Sequence, residues 1–395
     1  MVKIKPAPHL KITIADVVKQ AERALQIVGD VRTRMLAPEQ TKPSPRFSMT
    51  QLAALCGMDK GAFNYRLNRK ELPLGQLNEQ KSRREFTLEQ SRIWIRSVRA
   101  ASLRPAGKRA VTIAIGNFKG GVSKTTTAMT LAQGLSLKGH KILVIDMDPQ
   151  GSLTTLFGIL PDTDVEEHMT VSPLTNGDES SIRPAIQSTY WDGIDLVAAA
   201  PALFSAEFVL PARQMRNPSF EFWNVINLGL EDVRDDYDVI IIDTPPSLSY
   251  LTINAFMAAD GLIVPLPPNA LDFASSAQFW NLFSDLASNL VESAGLSKTY
   301  DFMHVLLSRV DASDVASSVV RTWISAAYAE KVLPVEIPKT AIASASAAEF
   351  GTVYDIVKYD GNIKTYKRAR DAYDRFSDLI EQSVITSWAG QDEVL

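Results

Sequence analysis

Gly116-Asn117-Phe118-Lys119-Gly120-Gly121-Val122-Ser123-Lys124-Thr125-Thr126 is the stretch on which the reading of this chain turns. It follows an apolar β-type run, Val111 to Ile115, and opens a helical pattern through Ala128, Leu131 and Leu135. Strand, glycine loop and helix in that order make a phosphate cradle. Small residues let backbone N–H groups turn inward around phosphate oxygens, a lysine supplies a point charge, and a hydroxyl completes a magnesium shell. Lys124 and Thr125 are placed for the last two tasks. The general pattern G-x-x-x-x-G-K-[ST] nevertheless fails, because Phe118 and Ser123 stand at its two fixed glycine positions.

Two more apolar runs end in acid. Lys141 to Asp148 closes on Asp146 and Asp148, followed by Pro149-Gln150-Gly151, and Val239 to Asp243 is followed by Thr244-Pro245-Pro246. Buried strands rarely end in carboxylates without a cation or substrate nearby, although a carboxylate there can also simply cap the next helix. The second run has the shape of a Walker B strand, whose terminal Asp holds magnesium through water.

With Lys119 directly before Gly120-Gly121, the loop resembles the deviant Walker A loop, K-G-G-x-G-K-T, of the ParA/MinD group of partition and positioning ATPases, with Ser123 in place of the usual glycine. The runs D-M-D-P-Q-G and I-I-D-T-P-P resemble that group's next two motifs. The resemblance implies ATP or ADP with Mg²⁺ as ligands, held by Lys119, Gly120, Gly121, Val122, Ser123, Lys124, Thr125 and Thr126, the last at the α-phosphate. It implies Lys119 reaching a partner subunit's phosphates, Asp148 positioning the attacking water, and Thr125, Asp146 and Asp243 around magnesium. Ser308-Arg309 and Pro338 fall where the family contacts the base. GTPase motifs of the N-K-x-D kind are absent, which favours ATP.

The chain has 395 residues and a net charge of −4. Residues 1–110 hold 22 Lys+Arg against 9 Asp+Glu, leaving 19 against 36 for the remainder, so a basic first part precedes an acidic body. That segregation points to nucleic acid as the first part's partner, with a solvated basic surface as the plainer reading. Cys56 is the only cysteine, and His9, His140, His168 and His304 have no metal-ligand spacing. One cysteine is a poor fit to the cluster-carrying reductase branch of the same group. No run reaches the length of a membrane-spanning helix and no signal peptide is visible, so a cytoplasmic, nucleoid-associated location is expected.

From the N-terminus, Ile14, Val18, Ala21, Leu25 and Val28, then Met35, form one stripe of a helix capped by Thr13 with Asp16. This helix, within 1–37, is read as pairing with a second chain, the alternative being packing on its own domain. Residues 48–67 give a short helix, a turn at Gly57 and a second helix with Phe63 and Leu67 inward. That is a helix-turn-helix pattern, which any small αα-hairpin can imitate. Lys60, Asn64, Arg66 and Arg69 would face DNA, and a wing from Leu72–Leu77 and Glu85–Thr87 would present Lys81, Arg83 and Arg84.

The domains are accordingly 1–37, a dimerisation helix; 46–100, a winged helix-turn-helix; 101–109, a linker; and 110–395, the ATPase. The fold class is α/β, a parallel sheet covered by helices on both faces, after an α-rich N-terminal part. A helix is expected near Phe220 to Val233, and a terminal one from Tyr366 to Ile385 with Tyr366, Tyr373, Phe376 and Ile380 on one side. Lys358, Lys364, Lys367, Arg368 and Arg370 are the densest basic cluster of the body and a candidate contact for nonspecific DNA. Together with the resemblance, these features predict a homodimeric DNA-segregation ATPase acting with a ParB-like partner and repressing its own operon at operator DNA. The competing readings are a nucleotide-tuned transcriptional repressor and a MinD-like membrane-positioning ATPase, the latter opposed by an acidic tail.

Overall fold

The strands Val111–Ile115, Ile142–Asp146 and Val239–Asp243 are buried at every position, as strands covered on both faces must be. In the computed structural model, which describes residues 11–36, 42–78, 82–295, 298–339, 351–356 and 362–391, they form the centre of an eight-stranded sheet. Numbered along the chain, β1 is Arg46–Ser48, β2 Gln76–Leu77, β3 Arg84–Thr87, β4 Val111–Ile115, β5 Ile142–Asp146 and β6 Gln187–Ser188. They are followed by β7 Ile194–Val197, β8 Val239–Asp243, β9 Gly261–Leu266, β10 Phe302–Val310 and β11 Val332–Pro338. The large sheet runs β11-β10-β9-β4-β8-β5-β7-β6. Every pair in it is parallel except β6 with β7. β4 therefore sits between β8 and β9, where the connections diverge to opposite sides and ligands of open α/β sheets bind.

The chain divides into two compact units, Met1–Pro43 and Ser44–Leu395. The first contains α1, Ile14–Leu36. Thr13 and Asp16 cap it reciprocally: the Asp16 N–H donates to Thr13 Oγ1 at 3.2 Å, and the Thr13 N–H donates to Asp16 Oδ2 at 2.9 Å. Ile14, Val18, Leu25 and Val28 of its stripe are exposed.

In the second unit, α2 (Met49–Leu55), α3 (Lys60–Asn68) and α4 (Leu88–Val98) surround a three-stranded antiparallel sheet, β1-β3-β2. Capping boxes at Ser48/Gln51 and Thr87/Gln90 start α2 and α4, and Asp59 caps α3. Phe63 of α3 stacks on Trp94 of α4 at 4.4 Å, with Phe86 edge-on to both. β1 was not anticipated, because three residues are too short for an alternating signal. Lys81 lies outside the described residues, as do Lys358 and the tail from Asp392.

α5, Lys124–Ser136, follows the glycine loop and is buried along most of its length. It packs on the terminal helix Ile363–Gly390 at Gly134, where a Cβ would lie 2.1 Å from Ser377 Oγ. Tyr373, Phe376, Ile380, Val384 and Trp388 of that terminal helix are buried in the main core, so its apolar side is used inside the fold. The helix expected over 220–233 shrinks to Val225–Gly229. The Asn254 side chain takes both groups that a helical turn would pair there: its Oδ1 accepts from the Ile226 N–H and its Nδ2 donates to the Phe222 carbonyl. A helix at Ala206–Arg216, carrying Pro211, precedes it instead.

Glu381 on the terminal helix is buried. Burial would push its carboxyl up, but the hydrogen bond to His140 at 2.7 Å, the Arg99 guanidinium at 2.9 Å and Lys138 together hold it at about 2. A depressed carboxylate contributes stability above its unfolded pKa and loses it as pH falls through the folded value. Glu381→Gln is therefore expected to lower the unfolding free energy by about 3 kcal/mol at pH 7. Urea titrations from pH 7 to pH 3 should show the difference from wild type shrinking below about pH 4.

Candidate nucleotide site

Parallel pairing sets the site's frame, because Asp146 and Asp243 are direct partners at the ends of β5 and β8. The loop after β4 emerges beside them, and its lysine and threonine close the cluster. Lys124 is buried and its Nζ donates to the Lys119 carbonyl at 3.0 Å. Thr125 Oγ1 donates to Asp243 Oδ2 at 2.8 Å.

The carboxylates are not equivalent. Asp146 accepts from the Thr154 N–H and hydroxyl, both at 2.8 Å, on one oxygen, and from the Asp148 N–H at 3.1 Å on the other. It therefore anchors the turn that carries Asp148. Asp148 is half-buried and accepts from the Gln150 N–H at 3.0 Å. Asp243 is fully buried, and its Oδ1 has no hydrogen-bond partner.

Burial pushes the Asp146 carboxyl up to about 7 and raises Asp148. Asp243 goes well above the usual carboxylate range through burial and then the nearby Asp146 charge. Burial lowers the Lys124 ammonium, with Asp243 and Asp148 opposing. One ammonium thus faces three carboxylates in a poorly solvated place, a shortage of positive charge.

A divalent cation fits that shortage. Among the described residues no three His, Cys, Asp or Glu side chains are grouped to hold a metal by themselves. That suits Mg²⁺, which keeps several waters and takes one or two protein groups plus phosphate oxygens. The orphaned Asp243 Oδ1 beside the Thr125 hydroxyl is where such a hydrated ion gains most.

The loop is held from outside by residues at the C-terminal end of β10. Ser308 Oγ donates to the Val122 carbonyl at 2.9 Å, and Arg309 Nη1 donates to the Gly121 carbonyl. Both side chains thus brace the loop backbone. Pro338, at the end of β11, lines a cleft of about 400 Å³ with Val310, Asp311, Lys339 and Arg368. Lys119 pairs with Asp272, in the first turn of the helix Ala270–Ala294 that follows β9. The sequence reading missed Asp272; its signal is an acidic residue just past a strand end. Thr126 sits in the first turn of α5, with Gly120 and Gly121 exposed on the loop's rim.

Ser123 has φ 76° and ψ 28°, the left-handed region where glycine is favoured. The departure from the glycine pattern is therefore a departure in side chain and not in backbone.

Far from this cluster, Lys60, Arg66 and Arg83 are exposed on the N-terminal part and Asn64 is half-buried. Arg69 pairs with Glu71 at 2.7 Å, and Arg84 donates to the Leu74 carbonyl.

Comparison with known proteins decides the family. A family described as an AAA domain (AAA_31) matches residues 110–294. The putative replication protein A of Rhizobium rhizogenes is 33% identical over 289 residues, covering 72% of this chain and 71% of that protein. The chromosome-partitioning ATPase Soj of Thermus thermophilus is 32% identical over 243 residues, covering 60% of this chain and 85% of that protein. The chain belongs to the ParA-type family of P-loop ATPases. A solved structure titled Partition Protein is similar in fold, aligning with a TM-score of 0.66 and covering 94% of this chain and 97% of that one at 19% identity. In this ParA-type chain the lysine, threonine and carboxylates of the motifs converge on one strand-end cluster, whereas Asp146 serves the fold of that cluster through both its oxygens.

Relieving the left-handed serine gives a direct check. Ser123→Gly is expected to raise stability by about 0.5 to 1 kcal/mol, the left-handed penalty less the added chain entropy of glycine. A destabilised variant in chemical denaturation would mean that the hydroxyl holds the loop.

Proposed function

We propose that this protein is a DNA-partition ATPase that binds ATP with Mg²⁺ at the Lys124, Thr125 and Asp243 cluster and uses its hydrolysis to time its stay on DNA. The observation that carries the reading is the buried, unpartnered Asp243 Oδ1 beside Thr125 and Lys124, in a chain of the ParA-type family. Magnesium held by Thr125 and Asp243 would supply positive charge to offset that of the phosphates.

The protein's own groups do the rest by position. Loop N–H groups from Gly120 to Thr126 surround the phosphates, and Lys124, now turned to the Lys119 carbonyl, swings onto the β/γ oxygens. Thr125 and Asp243 hold the ion, while Asp146 fixes the turn so that Asp148 orients the attacking water. Lys119 leaves Asp272 for the phosphates of a second chain, making the homodimer the competent form. The cleft beside Pro338 takes the adenine.

DNA is the partner that the basic N-terminal part suits. Lys60, Asn64, Arg66 and Arg69 on or beside α3 read operator bases and phosphates, with Lys81, Arg83 and Arg84 as wing contacts. Arg69 and Arg84, already engaged within the fold, contribute less than Lys60, Arg66 and Arg83. The two relatives' names, replication and chromosome partitioning, are both processes on DNA. The ATP form coats nonspecific DNA, a ParB-like protein stimulates hydrolysis and release, and the N-terminal part represses the chain's own operon.

Lys124→Ala is expected to reduce ATP-dependent retention on nonspecific DNA by at least about tenfold, or about 1.4 kcal/mol. The check is a DNA-retention assay run beside ATP hydrolysis, with and without DNA and the product of the adjacent downstream gene. Undiminished ATP-stimulated DNA binding in the variant contradicts the scheme.

A further inference from the structure

α4 meets the far end of α5, and three arginines make the junction. Arg92, Arg96 and Arg99 recur at steps of four and three, hence along one side of α4 and its cap. Arg92 Nε donates to the Ser136 carbonyl at 3.2 Å and its Nη2 to the His140 carbonyl at 2.8 Å. Arg99 Nη1 donates to the Lys138 carbonyl at 2.8 Å, and Arg96 Nη1 donates to the Gly139 carbonyl. These acceptors are the end of α5 and the turn after it, where a helix leaves carbonyls unsatisfied and its dipole favours cations.

Two of the guanidinium groups are also held by carboxylates, Arg92 by Asp192 at 2.6 Å and Arg99 by Glu381 at 2.9 Å, while Arg96 lies 3.8 Å from Asp238. Room is reserved for them. A Cβ on Gly193 would lie 1.9 Å from Arg92 Cζ, and one on Gly139 3.1 Å from Arg96 Cγ. Planar forks fixed on both sides transmit direction as well as distance, which a lysine's single ammonium does not. α5 is 13 residues long, about 20 Å. Its first residues are Lys124 and Thr125 of the nucleotide cluster, its last residue, Ser136, gives its carbonyl to Arg92, and Arg96 and Arg99 hold the turn that follows.

We propose that Arg92, Arg96 and Arg99 form a positioning clamp that couples the nucleotide loop to the N-terminal module through α5. Whatever displacement the loop imposes on the start of α5 when it closes on phosphates is delivered to α4. From there it reaches α3, packed on α4 through Phe63 and Trp94. Occupancy of one end then biases the other, and the bias is reciprocal. The inference rests on the reading of the loop as the nucleotide site.

Hydrogen exchange on the full chain, with and without a non-hydrolysable ATP analogue and Mg²⁺, tests it. In wild type, amides of 116–126 should become protected, and exchange within 46–98 should change by about fivefold or more. In Arg96→Gln/Arg99→Gln the loop protection should remain while the change in 46–98 is lost. Arg96→Lys/Arg99→Lys, which keeps the charge but not the fork, should lose it as well. An analogue that leaves the loop itself unprotected overturns the nucleotide reading and this proposal with it. A protected loop with 46–98 unaltered in wild type, or an unchanged response in the Gln variant, overturns the clamp alone.

Discussion

The structure is arranged around a deficit of positive charge at the ends of three adjacent strands. Asp146 and Asp243 arrive side by side because β5 and β8 pair in parallel register, and Asp148 follows two residues later. Among the described residues, Lys124 is the cation that offsets them. Carboxylates kept so poorly solvated are expensive unless a cation shares the site. A cluster of perturbed carboxylates at strand ends is the kind of place where a cationic ligand completes the electrostatics.

From this cluster α5 carries the consequence across the molecule. One end holds Lys124 and Thr125, and the other meets the terminal helix at Gly134 and is held by α4 at the Ser136 carbonyl and in the turn that follows. A helix held at both ends carries a displacement of one end to the other. Acidic body and basic N-terminal part, segregated in the sequence, meet at α4, whose arginines face the end of α5 as well as Asp192, Asp238 and Glu381.

Much of this was legible before any coordinates. Apolar runs such as Val239–Asp243 are unambiguous because burial on both faces removes polar residues, and Thr13 or Ser48 announces a helix start by local chemistry alone. The Lys124, Thr125 and Asp243 cluster was readable for the same reason: strand ends in a parallel sheet point to one rim. Other features were hidden because they are long-range. Nothing near Lys119 in sequence points to Asp272, and nothing near Ser308 and Arg309 points to their grip on the loop carbonyls. The role of Asp146 depends on Thr154, eight residues on, through hydrogen bonds that a motif does not encode. The helix expected at 220–233 failed where the Asn254 side chain outbid the backbone.

The charge deficit is tested most directly by titrating a non-hydrolysable ATP analogue calorimetrically into the protein with Mg²⁺ and with excess chelator, alongside Asp243→Asn. One site per chain should bind at least about tenfold more tightly with Mg²⁺, a difference of about 1.4 kcal/mol, and the gap should narrow in the variant. Equal affinity with and without the ion, in wild type and variant alike, would contradict the account.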